Sequence, residues 1–258
     1  MEAGGRDMLA HLAKLKPVKG WREFLGEVGI IVLGVMIALT ADKVAQKIND
    51  RDTASDTRAD ITDEFNDGLA SVALRGRAEP CIQRRLGELR ALFADWSRTG
   101  TFKTPQWVAQ TPALTIQLNR YEAAADAGRL TLLPSEEQFR MGAIAEGLRG
   151  FAEIQQQELV LWGRLRALQA GADILGAQER AILREVLQDA STLDYQQRLS
   201  IRELMPQARA YGFSPDFERV DKAGKDIWSN GRFSPSICTT IDTPRGEANK
   251  TQVTPLPE

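Results

Sequence analysis

The stretch WREFLGEVGIIVLGVMIALTAD, Trp21 to Asp42, decides how the rest of the chain is read. Val28 to Ala41 carries no charge and is almost wholly apolar, and charged, helix-favouring sequence follows at once. Apolar runs of about 10–14 residues also occur as buried helices and signal-peptide cores. Adding Phe24, Leu25 and Gly26, and tolerating Glu27, extends the run to Phe24–Ala41. At about 1.5 Å per residue this covers roughly 27 Å, close to a hydrocarbon core. A carboxylate near the end of a span reaches the headgroups at far lower cost than one at the bilayer centre. Trp21 suits an interfacial anchor. The stretch predicts one transmembrane helix over residues 21–42. Two rival readings stay open. One is a cleaved signal peptide, with a long n-region and a poor cleavage site at Leu39-Thr40-Ala41. The other is the core helix of a soluble protein.

The flanks predict the orientation. Between Ala10 and Arg22 the charges are Lys14, Lys16, Lys19 and Arg22, with no acid. After the span, Asp42, Lys43, Lys47, Asp50, Arg51 and Asp52 balance. An excess of Lys and Arg marks the cytoplasmic side. Residues 1–20 are expected to be a cytoplasmic tail, and everything beyond 42 is expected outside.

The remaining sequence reads as all-α. Its net charge is −2, which gives no global field for nucleic acid. Aromatic residues make up 7% of the chain, there is little period-two alternation, and no solenoid repeat is found. Two cysteines, Cys81 and Cys238, both fall on the predicted outer side. An even count in an oxidising compartment predicts a disulfide, with two unrelated thiols as the alternative.

Residues 43–212 are expected to form an elongated helical bundle. Ile61, Phe65, Leu69 and Val72 recur at helical spacing up to Pro80, which should end or kink a long first helix. Ile82, Leu86, Leu89 and Phe93 mark a second helix over Cys81–Trp96, and Ser97–Pro112 reads as a loop. Ala113–Ala127 predicts a short helix stopped by Gly128. Ser135 with Gln138 reads as a capping box for a helix running to about Ala170. Its inward candidates are Ile144, Leu148, Phe151, Leu159, Trp162 and Leu165. The last long helix is expected over Ala177–Tyr211, with Leu183, Leu187, Leu193, Ile201 and Leu204 inward, Pro206 disturbing its final turn and Gly212 ending it. Residues 213–258 predict one short helix, Pro215–Ile227, and an irregular tail. Near the N-terminus, Met8, Leu9, Leu12, Lys14 and Lys16 hint at a basic amphipathic turn ended by Pro17.

Catalytic chemistry is thin. His11 is the only histidine and falls in the predicted cytoplasmic tail, so histidine-dependent triads and histidine-rich metal sites are not expected outside. No P-loop or dinucleotide fingerprint is present. Asp56, Asp60, Asp63, Glu64 and Asp67 form an acidic stripe, read as a solvated helix face. Arg75, Arg77, Arg84 and Arg85 read as exposed positions paired with Glu79 and Glu88. Gln155, Gln156, Gln157 and Glu158 interrupt an apolar stripe and read as a surface patch, with a polar layer inside the bundle as the alternative. Catalytic residues, metal ligands and cofactors are not expected.

One feature of the span has positive geometry. Gly34, Ala38, Ala41 and Ala45 follow at intervals of four, three and four, and Glu27 lies seven before Gly34. Small residues on one face let helices approach closely. The face is either a homodimer or partner-helix seam, or ordinary lipid-facing surface.

The segment Gly26-Glu27, Gly34 and Ile37-Ala38-Leu39 resembles the anchor of a group of uncharacterised bacterial single-pass inner-membrane proteins. The resemblance covers about the first fifth of the chain and implies topology alone, because that family supplies no activity or catalytic residues. With it, the expected function is a non-enzymatic periplasmic interaction or scaffolding module of the cell envelope. Its expected partners are the lipid bilayer, a second transmembrane helix and an envelope protein, with no nucleic acid. A second expectation is a periplasmic ligand sensor. The segment before Trp21 is short for an output domain, so such a sensor would signal through a partner. An envelope hydrolase using only carboxylates is a third.

Overall fold

A computed structural model describes residues 20–109, 111–112, 114–171, 175–215 and 237–244. The expected amphipathic turn near Met8 and the helix Pro215–Ile227 lie outside these, apart from Pro215 itself. The described residues are helical with no strand. Five α-helices follow in order: α1 Trp21–Arg77, α2 Glu79–Thr99, α3 Asn119–Asp126, α4 Ser135–Leu165 and α5 Ala177–Ala210. Short 3-10 turns occupy Arg129–Leu132 and Arg166–Ala170. The chain divides after Thr53 into two units, each described by itself.

In the first unit, α1 is apolar and bare. It is the one described helix long and apolar enough to cross a membrane, and none of its most apolar window is buried. Phe24, Leu25, Val28 and every large apolar side chain from Ile30 to Leu39 are exposed. The one hydroxyl there is satisfied within the helix, because Thr40 Oγ1 donates to the Met36 carbonyl at 2.7 Å. Internal satisfaction of polar groups is what a hydrocarbon solvent demands.

The second unit is built on three heptad seams. Ile61, Phe65, Gly68, Val72, Arg75, Glu79, Ile82, Leu86, Leu89, Phe93 and Trp96 keep alternating steps of four and three across the α1–α2 junction. Met141, Ile144, Leu148, Phe151, Gln155, Glu158, Trp162 and Leu165 do the same on α4, and Leu183, Leu187, Ala190, Asp194, Gln197, Ile201, Leu204 and Ala208 on α5. This spacing keeps one face of each helix turned to its neighbours. One apolar cluster joins Ile61–Val72 of α1 to Met141–Phe151 of α4 and Leu204–Ala208 of α5. A second joins Ile82–Trp96 of α2 to Trp162 and Leu165 of α4 and Leu183–Ala190 of α5. The α1–α2 column thus runs parallel to α4, and α5 returns antiparallel to both. A parallel neighbour needs a long return, which the loop after Gly100, α3 and the Arg129–Leu132 turn supply. At Gly147 a Cβ would lie 2.6 Å from Leu204 Cδ1, so glycine permits the close approach of α4 and α5.

The punctuation has local causes. Pro80 cannot donate to the Gly76 carbonyl, and the helix breaks at Ala78. Gly100 closes α2 at φ +71°, donating to the Trp96 carbonyl at 3.0 Å. Gly128 and Gly212 take positive φ after α3 and α5. Three expectations need correction. The third helix starts at Asn119 rather than Ala113, because Glu64 of α1 caps it there: its carboxylate accepts from the Arg120 and Tyr121 backbone N–H groups, each at 2.9 Å. No capping box forms at Ser135, since Pro134 is the N-cap and Gln138 Nε2 donates to the Leu133 carbonyl at 2.8 Å. α5 continues through Pro206 to Ala210 and is not cut short there.

Cys81 and Cys238 are bonded, with Cα atoms 4.7 Å apart at a sequence separation of 157. The bond straps residues 237–244 onto the start of α2. Ile237 is buried in the second apolar cluster. Arg84 and Arg85 donate to the Cys238 and Thr239 carbonyls. The Gln106 N–H donates to the Ile241 carbonyl at 3.1 Å, and Trp107 Nε1 donates to the Thr243 carbonyl at 2.8 Å.

Candidate functional site

Between the two apolar clusters lies a buried polar layer. It is formed where the three seams carry polar residues at the same height: Arg75 and Glu79, Gln155 and Glu158, Asp194 and Gln197. Arg75 is its hub and is fully buried. Arg75 Nη2 donates to Glu158 Oε1 and to Asp194 Oδ1, each at 2.9 Å, and Nη1 donates to Glu79 Oε2 at 3.1 Å. Arg198 Nε lies 3.1 Å from Glu79 Oε1 and 3.4 Å from Asp194 Oδ2. Gln83 donates its amide to Asp194 Oδ2. The layer's amides tie it to nearby backbone: Gln155 Nε2 donates to the Leu114 carbonyl at 2.6 Å, and Gln197 Nε2 to the Phe151 carbonyl at 3.2 Å.

Two guanidinium groups therefore face three carboxylates. Burial works against charge on Arg75, but Glu158 and Asp194 outweigh it and hold its pKa above the ordinary arginine value. Burial pushes the Glu158 carboxyl above the usual glutamate range, and Arg75 opposes this only in part. Glu79 is raised too, by burial and then by the Asp194 charge. These directions fit together: the single excess negative charge falls on the carboxylates, while the arginine keeps its proton. Among the described residues, Glu158 Oε2 and Trp162 Nε1 find no hydrogen-bond partner.

Several expectations change here. Arg75 and Arg85 are buried, not exposed, although their expected partners Glu79 and Glu88 are the right ones. Arg85 Nη1 also donates to the Val108 carbonyl at 2.7 Å, and burial lowers its pKa. Arg84 is exposed as expected. Gln155 and Glu158 face inward, and only Gln156 and Gln157 form surface. Within the acidic stripe Asp56, Asp60 and Asp63 are solvated, but Glu64 is buried as the cap of α3. Leu159 and Leu193 are half-buried because Glu158 and Asp194 take the seam. Glu27, Gly34, Ala38, Ala41 and Ala45 all lie exposed on α1.

The layer has charge and burial but no nucleophile paired with a base. Among the described residues, no group of three or more His, Cys, Asp or Glu side chains is placed to hold a metal. A cleft of about 320 Å³ is lined by Arg58, Glu137, Arg140, Tyr211 and Phe213. Its charges are already matched, since Arg58 Nη2 lies 2.9 Å from Glu137 Oε2 and Arg140 pairs with Glu136. Chemically, the polar layer can fix register and hold a proton. Sliding α4 or α5 by one heptad would carry a carboxylate away from Arg75 into apolar surroundings.

No protein-family model, curated protein or solved structure matches this chain.

Proposed function

We propose that the protein is a non-enzymatic interaction module of the bacterial inner membrane. In this reading residues 21–42 span the bilayer, the N-terminus is cytoplasmic and the helical unit stands in the periplasm. The observation that carries it is the exposed apolar surface of α1, where the large apolar side chains from Phe24 to Leu39 are all exposed. Soluble surfaces carry such residues singly, not as a sleeve around a helix. The basic flank before Trp21 supports the orientation. The Cys81–Cys238 bond supports an oxidising compartment. A unit held by seams, matched charges and a covalent strap suits a rigid scaffold for a protein partner. Crosslinking in native membranes tests the role. One envelope protein joined reproducibly to surface positions of the helical unit is the expected result. A melting shift with a small molecule and no protein adduct would favour the sensor reading instead.

The proposed seam on α1 makes a separate prediction. If Gly34 and Ala38 pack against a second copy, Gly34→Leu blocks the approach and weakens self-association in a membrane two-hybrid assay. Gly29→Leu, about 140° around the helix, should have the smaller effect. Equal association by wild type and Gly34→Leu, or none by either, would leave this face as lipid-facing surface and the anchor monomeric.

A further inference from the structure

We propose that the buried polar layer is a proton-binding site on Glu158, which makes the helical unit more stable as the pH falls from neutral into the mildly acidic range. Glu158 is fully buried, between Phe151 of one apolar cluster and Trp162 of the other. The other charged groups of the layer come from all three helices packed against α4 there. Arg75 comes from α1 and Glu79 from α2, while Asp194 and Arg198 come from α5. The Thr111 hydroxyl beside Glu158 favours its charged form and, with Arg75, opposes the effect of burial in part. Arg75, Glu158 and Asp194 are buried together, one cation with two anions, while Glu79 and Arg198 are partly exposed and cancel each other. One negative charge is left uncompensated in a low-dielectric interior, where it is costly.

The two oxygens of Glu158 differ. Oε1 accepts from Arg75 Nη2, whereas Oε2 finds no hydrogen-bond partner among the described residues. A proton on Oε2 removes the excess charge and leaves the Arg75–Asp194 and Arg75–Glu79 bonds in place. Burial raises the proton affinity of Glu158 in the same direction. The sign of the linkage follows. The folded state binds the proton more tightly than the unfolded chain, so stability is greatest near the ordinary glutamate pKa and falls as pH rises through the folded value. Each proton taken up on folding changes the folding constant up to about tenfold per pH unit.

The test is urea unfolding of the full chain in detergent between pH 7.5 and pH 5, followed by far-ultraviolet circular dichroism. The wild-type midpoint should rise as the pH falls. Glu158→Gln, which carries a neutral side chain of the same shape, should lose most of that slope. A wild-type midpoint that is flat or falls toward pH 5, or a Glu158→Gln slope equal to wild type, overturns the proposal. If Glu158→Gln does not fold, infrared titration of wild type decides. A carboxylic-acid band appearing above pH 5, ahead of the exposed acids, supports the site, and its absence overturns it.

Discussion

Replacing Arg75 with leucine is expected to cost the helical unit about 3–5 kcal/mol of unfolding free energy at neutral pH, the penalty typical of a buried ion pair broken on one side. The substitution removes the donor to Glu158 and Asp194 together, and both carboxylates are buried. Leucine fills much of the stem volume, so the loss reports charge rather than a cavity. A whole domain holds only about 5–15 kcal/mol, so the variant should sit close to its unfolding midpoint in modest urea. The penalty should shrink as the pH falls toward 5, because protonation then neutralises acids that have lost their cation. Arg75→Lys should lie between, since one ammonium cannot reproduce the fork that reaches three carboxylates. Urea midpoints by circular dichroism check the series. A loss under about 1 kcal/mol for Arg75→Leu would mean that water reaches the layer.

Opening the Cys81–Cys238 bond is the second large expected effect. The bond closes a loop of 157 residues, for which the chain-entropy model gives up to about 5 kcal/mol. Its removal also frees what the strap covers. Ile237 would leave the second apolar cluster. Buried Arg85 would lose the Thr239 carbonyl and keep Glu88 with the Trp107 and Val108 carbonyls. Measured losses for native disulfides run about 2–5 kcal/mol. Reductant should therefore lower the melting temperature of the wild-type chain and leave that of Cys81→Ala/Cys238→Ala unchanged. Trp107, whose indole N–H is tied to the Thr243 carbonyl, offers a fluorescence signal of strap release. Two cysteines that label freely without reductant would remove the strap from the account.

The helices were legible in the sequence because their apolar residues recur at seam spacing. Ile82, Leu86, Leu89 and Phe93 are all buried as their spacing predicts. The polar layer was not legible in the same way. Reading only apolar residues skips Arg75, Glu158 and Asp194, although each occupies a seam position, three after Val72, seven after Phe151 and four after Ala190. Following the heptad rather than the hydrophobicity would have found them. Which polar seam residues meet depends on the parallel placement of α4 beside the α1–α2 column, and no local pattern encodes that. Glu64 was missed for the same reason, since its partners at Arg120 and Tyr121 are more than fifty residues away. The start of α3 was misplaced with it. Cys81 and Cys238 were legible as a pair from their even count and their expected place in an oxidising compartment.

The central claim is a chain anchored by residues 21–42 with its helical unit outside the cytoplasm. The most direct measurement fuses after Asp52 a reporter that is active only outside the cytoplasm, and fuses at the same place one that is active only inside. The account predicts activity from the first and silence from the second. Activity from the cytoplasmic reporter with silence from the other would contradict the orientation, the compartment proposed for the disulfide and the periplasmic role together.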